Sequence, residues 1–368
     1  MSARIERLRA ALSGAGVDAL IVTHPPNVRY LTGLNASAGA VLLNGADCVL
    51  IVDSRYLQVA TVLTQERPGL RVRLASAALD AAIAEEVRSS GVERAGIEAA
   101  YLPLARYHRL AALLTDGPPD PIEVPSTATL VATEHLVERL RVIKDAGELT
   151  TLREAARRLS RVASRARDFV VAGSTEASVA ALVDSAVRDA GFERPAFDTI
   201  VASGPNSALP HARPTSRILV EGEGVVLDFG GIYDGYCVDL TRTLHLGPPG
   251  AGFRRLFQAV QEAHAAAIAA GKPGAYATDI DGAARRFLER HGLLEAFGHG
   301  TGHGLGLEVH EAPRISPLVS PRERVEAGMV FTVEPGAYVP GTGGVRIEDD
   351  VLVTESGCEL LTDVAVEL

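Results

Sequence analysis

The chain has 368 residues, 47% of them hydrophobic and 22% charged, the composition of a globular protein with two sizeable cores. Its net charge of −10 disfavours nucleic acid or an anionic membrane as a partner, and no apolar run nears the roughly 18–20 residues of a bilayer span. Cys48, Cys237 and Cys358 stand apart in no C-x-x-C spacing, so neither a disulfide framework nor a cysteine zinc site is expected. The charged, helix-periodic start has no signal-peptide core, and the expectation is a cytoplasmic protein.

The first ~130 residues alternate helix and strand. Ile5, Leu8, Ala11 and Leu12 mark one helical face. Ala19–Thr23 and Ala40–Val52 read as strands, the second a pair hinged at Asn44-Gly45. Val59–Leu63, Ala82–Val87 and Pro103–Leu114 read as helix, with Ala95–Glu98 a short buried strand. No G-x-G-x-x-G or G-x-x-x-x-G-K-[ST] occurs in this region, so nucleotide binding is not supported. Asp116–Pro121, followed by Pro125, is a turn-rich break.

A connector, helical over Glu134–Arg141, is expected over 131–145, with a second domain over 146–368. That domain opens on an amphipathic helix in which Leu149, Leu152, Ala156, Leu159, Val162, Ala163, Ala166 and Phe169 recur at three- and four-residue steps. Thr175 caps a second helix that ends at Gly191. Phe253–Ala270 and Thr278–His291 are two more, the last with Thr278 and Asp281 spaced as a capping box.

Two strand-like runs flank a Tyr-Asp-Gly turn at Tyr233–Gly235, with Asp228 on the first and Asp239 on the second. A turn centred on Tyr233/Asp234 puts the two acids opposite each other; one centred on Asp234-Gly235 makes them diagonal neighbours on one face. Like charges that close stay ionised only with a cation between them. The plain alternative is a surface hairpin with solvated aspartates.

A similar unit follows. Glu334 closes an apolar run two residues before a glycine, as Asp228 does, and Glu348 comes fourteen residues later, as Asp239 comes eleven after Asp228. Two helices and a hairpin, used twice, predict an α+β domain with pseudo-two-fold symmetry. Between the units runs Gly298-His299-Gly-Thr-Gly-His303-Gly-Leu-Gly306, whose alternate glycines exclude a helix and let backbone approach a ligand closely. One histidine and four carboxylates make a hard, oxygen-rich donor set suited to two divalent ions, most simply Mn²⁺, with Co²⁺ or Zn²⁺ as alternatives. Four negative charges against two dications sum to zero, so the site can be buried.

Asp228, Asp239, His303, Glu334 and Glu348, with Asn206-Ser-Ala-Leu-Pro-His211, Val309-His310-Glu311 and Arg346-Ile-Glu348, resemble the pita-bread metallopeptidases (M24). The group includes methionine aminopeptidase, aminopeptidase P and prolidase. Residues 1–130 resemble the N-terminal α/β domain of the creatinase/prolidase branch, so the likeness spans the chain and points to proline-directed members. It implies Asp228 as ligand of one metal, Asp239 and Glu348 as bridges, and His303 and Glu334 as ligands of the other, Glu334 also relaying a proton. It implies further that His211 and His310 assist at the substrate carbonyl and that His299 contacts the proline side. Arg346 and Arg314 are candidates for a substrate carboxylate, Arg346 alternatively orienting the metal ligands; a surface ion pair is the plain alternative for both.

The implied activity is removal of the first residue from peptides with proline second, an Xaa-Pro aminopeptidase, with the Xaa-Pro dipeptidase as alternative. A metal-free creatinase-like hydrolase and a non-catalytic binding module on the same fold are the rivals. The intact ligand set argues against both. The resemblance also implies a homodimer.

Overall fold

The computed structural model describes residues 3–115 and 128–368. The break read at Asp116–Pro121 and Pro125 lies outside the described residues. The chain divides into two compact units, Met1–Arg141 and Val142–Leu368.

In the first unit the strands are β1 (Ala19–Val22), β2 (Ala40–Asn44), β3 (Cys48–Val52), β4 (Leu70–Leu74), β5 (Arg94–Glu98) and β6 (Thr129–Thr133), in the sheet order β4-β3-β2-β1-β5-β6. The helices are α1 (Ala3–Gly14), α2 (Pro25–Thr32), α3 (Leu57–Glu66), α4 (Leu79–Ser89), α5 (Leu104–Thr115) and α6 (Glu138–Arg141). The β2–β3 turn closes because the Asn44 side-chain oxygen accepts the amides of Ala46 and Asp47, at 2.9 and 2.6 Å. One face of the sheet buries Ile21, Leu42, Val49, Ile51 and Ile97 with Ile83 and Val87 of α4 and Leu110 and Leu114 of α5. Residues 131–145 are not the helical connector expected. β6 runs parallel to β5, with Glu98 opposite Thr133, and the only helix there is the single turn α6. Thr-Leu-Val-Ala-Thr has no strong period of its own; pairing with β5 decides it.

The second unit starts at α7 (Ala146–Ala166), held by a capping box in which Asp145 accepts from the Glu148 amide and Glu148 accepts from that of Asp145. α7 and α8 (Glu176–Asp189) bury Leu152, Leu159, Val179, Val183 and Val187 against Leu227, Phe229, Val238 and Leu240. Each such side chain is worth about 1.5–3 kcal/mol when removed from water. β7 (Arg194–Pro195), β8 (Ile200–Ser203), β9 (Gly224–Tyr233) and β10 (Tyr236–His245) form the sheet beneath.

α9 (Ala251–Ala270) and α10 (Ala277–Arg290) repeat the arrangement over a second sheet ordered β12-β11-β13-β16-β17. Its strands are β11 (Gly302–Gly304), β12 (Glu311–Ile315), β13 (Val330–Val333), β16 (Asp349–Val353) and β17 (Cys358–Leu360). β14 (Gly336–Val339) and β15 (Gly343–Arg346) form a separate hairpin between β13 and β16. Thr278 and Asp281 do not cap α10. That helix begins one residue earlier, after Tyr276, and the Asp281 carboxylate turns instead to the amide and hydroxyl of Thr301, at 3.1 and 2.9 Å. Among the described residues no helix is long and apolar enough to cross a membrane.

Candidate metal centre

Backbone conformation decides the register that the sequence left open. Asp234 and Gly235 both have positive φ, 46° and 74°, so they form the two-residue turn between Tyr233 and Tyr236. Counting back, Asp239 pairs with Gly230 and Asp228 with Thr241. The aspartates are therefore diagonal neighbours on one face. The opposite face of the same strands, Leu227, Phe229, Val238 and Leu240, is the hydrophobic core.

Glu334 and Glu348 flank the end of the β13/β16 ladder, one step beyond its last pair, Val333 with Asp349. Glu348 reaches the first sheet through its amide, which donates to Thr241 O at 3.1 Å, and through its carboxylate, which accepts from the Thr241 hydroxyl at 2.6 Å. His303 arrives on β11. A Cβ at Gly302 would collide with Thr332 O and one at Gly304 with Ala312 O, so these glycines admit the neighbouring strands rather than a ligand.

The four acids and one histidine expected as ligands all line one cavity of about 570 Å³. One donor atom each from Asp239, His303 and Glu348 lies within 4.8 Å of the others, and His303 Nε2 is 3.4 Å from Glu334 Oε1. His303 Nδ1 is 3.1 Å from Gly304 O, which leaves Nε2 as the lone-pair nitrogen. Burial, then His310, pulls the His303 pKa down to about 4, so the ring is neutral.

The carboxylates show the reverse. Burial, reinforced by Glu348, Asp228, Asp350 and Glu334, raises Asp239 well above the aspartate range. Burial, then Glu334 and Asp228, raises Glu348 likewise. Burial, partly offset by Arg346, pushes Glu334 up to about 8. Asp228 Oδ1 and Asp239 Oδ1 are buried with no hydrogen-bond partner among the described residues. Native proteins rarely leave such atoms unfilled. Clustered acids, orphaned oxygens and a neutral imidazole fit divalent cations, which would displace the protons this cluster otherwise retains.

The other expected residues line the same cavity. His211 and His310 are exposed on it, and the His310 ring lies 4.2 Å from that of His303, centroid to centroid. His299 is partly buried, its Nε2 3.0 Å from the Tyr338 hydroxyl. Arg314 is exposed and makes no ion pair among the described residues.

Arg346 is buried, not in a surface ion pair, and its donors go to Asp228, the Thr241 hydroxyl, the Tyr338 hydroxyl and Pro210 O, which favours the orienting alternative over a substrate carboxylate. Thr241, Tyr338 and Asp350 were not read from the sequence. Asp350 is buried and its Oδ2 accepts the Asp239 amide at 3.0 Å. Thr241 and Asp350 each stand two residues after an expected ligand, so the two-residue period of a strand could have found both.

Residues 150–355 match the model of metallopeptidase family M24, and residues 4–143 match the creatinase/prolidase N-terminal domain. The chain belongs to metallopeptidase family M24. An uncharacterised peptidase of Bacillus subtilis is 37% identical over 99% of both chains. Among solved structures, an Xaa-Pro dipeptidase from Bacillus anthracis is 34% identical, with a TM-score of 0.92 over 99% of this chain and 98% of that one. An X-Pro aminopeptidase from Thermotoga maritima is 32% identical, with a TM-score of 0.87 over 99% of each. As an M24 member the chain is a metallopeptidase with the pita-bread fold and an implied requirement for divalent metal, which the donor set here fits.

Proposed function

We propose that this chain hydrolyses the Xaa-Pro bond of short peptides, with the Xaa-Pro dipeptide as its preferred substrate. The carrying observation is the pair of buried oxygens, Asp228 Oδ1 and Asp239 Oδ1, that have no partner among the described residues, inside a cluster of four carboxylates. Asp228, Asp239 and Glu348 would hold one divalent ion, and Asp239, His303, Glu334 and Glu348 the other. Ions bound there supply Lewis acidity and an acidified water.

The remaining chemistry belongs to side chains. Glu334, on the cavity wall 3.4 Å from His303 Nε2, is the residue assigned to carry a proton between water and the leaving nitrogen. His211 and His310, both on the cavity wall, are assigned to donate an imidazole N–H to charge developing on the carbonyl oxygen. His299, in ring contact with Phe297 and Tyr338 on the cavity wall, is assigned to the proline side.

The choice of dipeptide turns on Arg314. With Arg346 committed to Asp228, Arg314 is the cavity arginine without an ion pair among the described residues, and a dipeptide brings a carboxylate to match it. The likeness to the Bacillus anthracis dipeptidase supports this choice over the aminopeptidase favoured from the sequence alone. The aminopeptidase remains a second reading because the Thermotoga maritima relative is nearly as similar.

Kinetics on Xaa-Pro and Xaa-Pro-Xaa, with Arg314→Met beside the parent, test it. The dipeptide should be cleaved, and the substitution should raise its KM roughly 10- to 100-fold, the worth of a charge-assisted pair. Cleavage of the tripeptide alone would establish the aminopeptidase. Manganese, a cytoplasmic location and a homodimer complete the reading. Hard oxygen donors support the first and three free cysteines the second; the third rests on family resemblance and is checked by light scattering.

A further inference from the structure

Glu176, the first residue of α8, is fully buried and forms no ion pair among the described residues. Its oxygens are nevertheless crowded with donors. Oε1 accepts the Ser203 amide at 2.8 Å and the Ser203 hydroxyl at 2.7 Å. Oε2 accepts the Thr215 amide at 3.1 Å and the Thr215 hydroxyl at 2.6 Å. The Asn206 side-chain amide bridges both oxygens at 3.1 Å. Burial pushes this carboxyl up, but the bonds from Thr215 and Ser203 outweigh it and hold it below the usual glutamate range.

Ser203 ends β8, and Thr215 is where the chain returns after an excursion over residues 204–214. That excursion carries Pro210, His211, Ala212, Arg213 and Pro214 to the cavity wall. Its middle is held separately: Arg346 donates to Pro210 O at 3.1 Å, and Gly344 N donates to the Ser207 hydroxyl at 2.8 Å. One carboxylate thus clasps both ends of the segment that presents His211.

We propose that Glu176 is a positioning residue for His211, closing the base of the 204–214 excursion so that the imidazole faces the metal centre. The clasp needs two acceptor oxygens. A glutamine would turn its NH₂ toward the amide of either Ser203 or Thr215, donor against donor, and open one end. A displacement of about 1 Å at a reacting group costs on the order of 100-fold in rate. The proposal rests on the reading of His211 as an assisting group in Xaa-Pro hydrolysis.

The test combines Glu176→Gln and His211→Asn, singly and together, in Mn²⁺-loaded protein, with hydrogen exchange on the metal-free chains. Glu176→Gln should lower kcat on Xaa-Pro roughly 10- to 100-fold with KM little changed. In the His211→Asn background it should cost less than about threefold, because residues that act through one another are not additive. Exchange should quicken over 204–214 and stay unchanged over β9 and β10. Equal fold-losses in both backgrounds, or unaltered exchange over 204–214, overturn the proposal. If Glu176→Gln does not fold, Thr215→Ala, which removes one hydroxyl of the clasp, carries the same cycle. Absence of Xaa-Pro hydrolysis by the parent would sink the functional reading alone, since exchange still decides the placement.

Discussion

Glu98 in the first unit and Asp239 in the second are both carboxylates sunk at the edge of a sheet core, and burial raises the pKa of each. Their surroundings differ. Glu98 accepts the amides of Thr23 and His24 on one oxygen, at 2.6 and 2.8 Å, and the Asn27 side chain on the other, at 2.7 Å. Asp239 faces Glu348, Asp228 and Asp350, and its Oδ1 has no partner among the described residues. A buried acid whose oxygens are filled ties a fold together. Buried acids that face one another with oxygens unfilled need cations from outside.

The largest effect should come from breaking the unfilled member. Asp239→Asn should abolish stoichiometric metal and lower kcat/KM by more than about 100-fold, beyond what losing a supporting partner costs. Elemental analysis and peptide kinetics measure both. An Asp239→Asn protein that keeps its metal would contradict the account.

Next comes pH. Without metal, Glu334 keeps its proton up to about pH 8 in the native state, and Asp239 and Glu348 are raised in the same direction, whereas the unfolded chain releases these protons near pH 4–4.5. The native state therefore binds more protons across that window. The contribution of these groups is fully present below pH 4 and is lost as pH rises toward 8. Denaturant unfolding at pH 5 and pH 8 should show metal-free protein losing stability relative to Mn²⁺-loaded protein as pH increases. A gap that does not grow would break the argument.

Smaller effects sharpen the contrast. Glu98→Gln sets one NH₂ group against a donor and should cost about 1–3 kcal/mol of stability, with metal content and kcat unchanged. Glu359→Gln, which breaks an exposed pair with Arg153, should stay within about 0.5 kcal/mol. Both are read from urea midpoints.

The same division governs what the sequence could reveal. Asp228, Asp239, His303, Glu334 and Glu348 were legible because five donors of one hardness recur in two similar β settings. Their family context was legible for the same reason. The hairpin register was not, because it depends on which two residues take positive φ, and Asp234 does so without being glycine. The task of Arg346 was ambiguous because most of its partners, Asp228, Thr241 and Pro210, lie more than a hundred residues away. Asp281 matched a capping spacing, yet Thr301, twenty residues on, offered it two donors. β6 escaped notice because an edge strand takes its identity from its neighbour, β5.

The most direct test is titration of Mn²⁺ into metal-stripped protein by calorimetry, repeated in two buffers of different ionisation enthalpy. Two ions bound per chain, with protons released on binding, is the expected result. No metal uptake would mean that the proposed centre does not exist, and uptake with no proton released would contradict the protonated state assigned to the metal-free acid cluster.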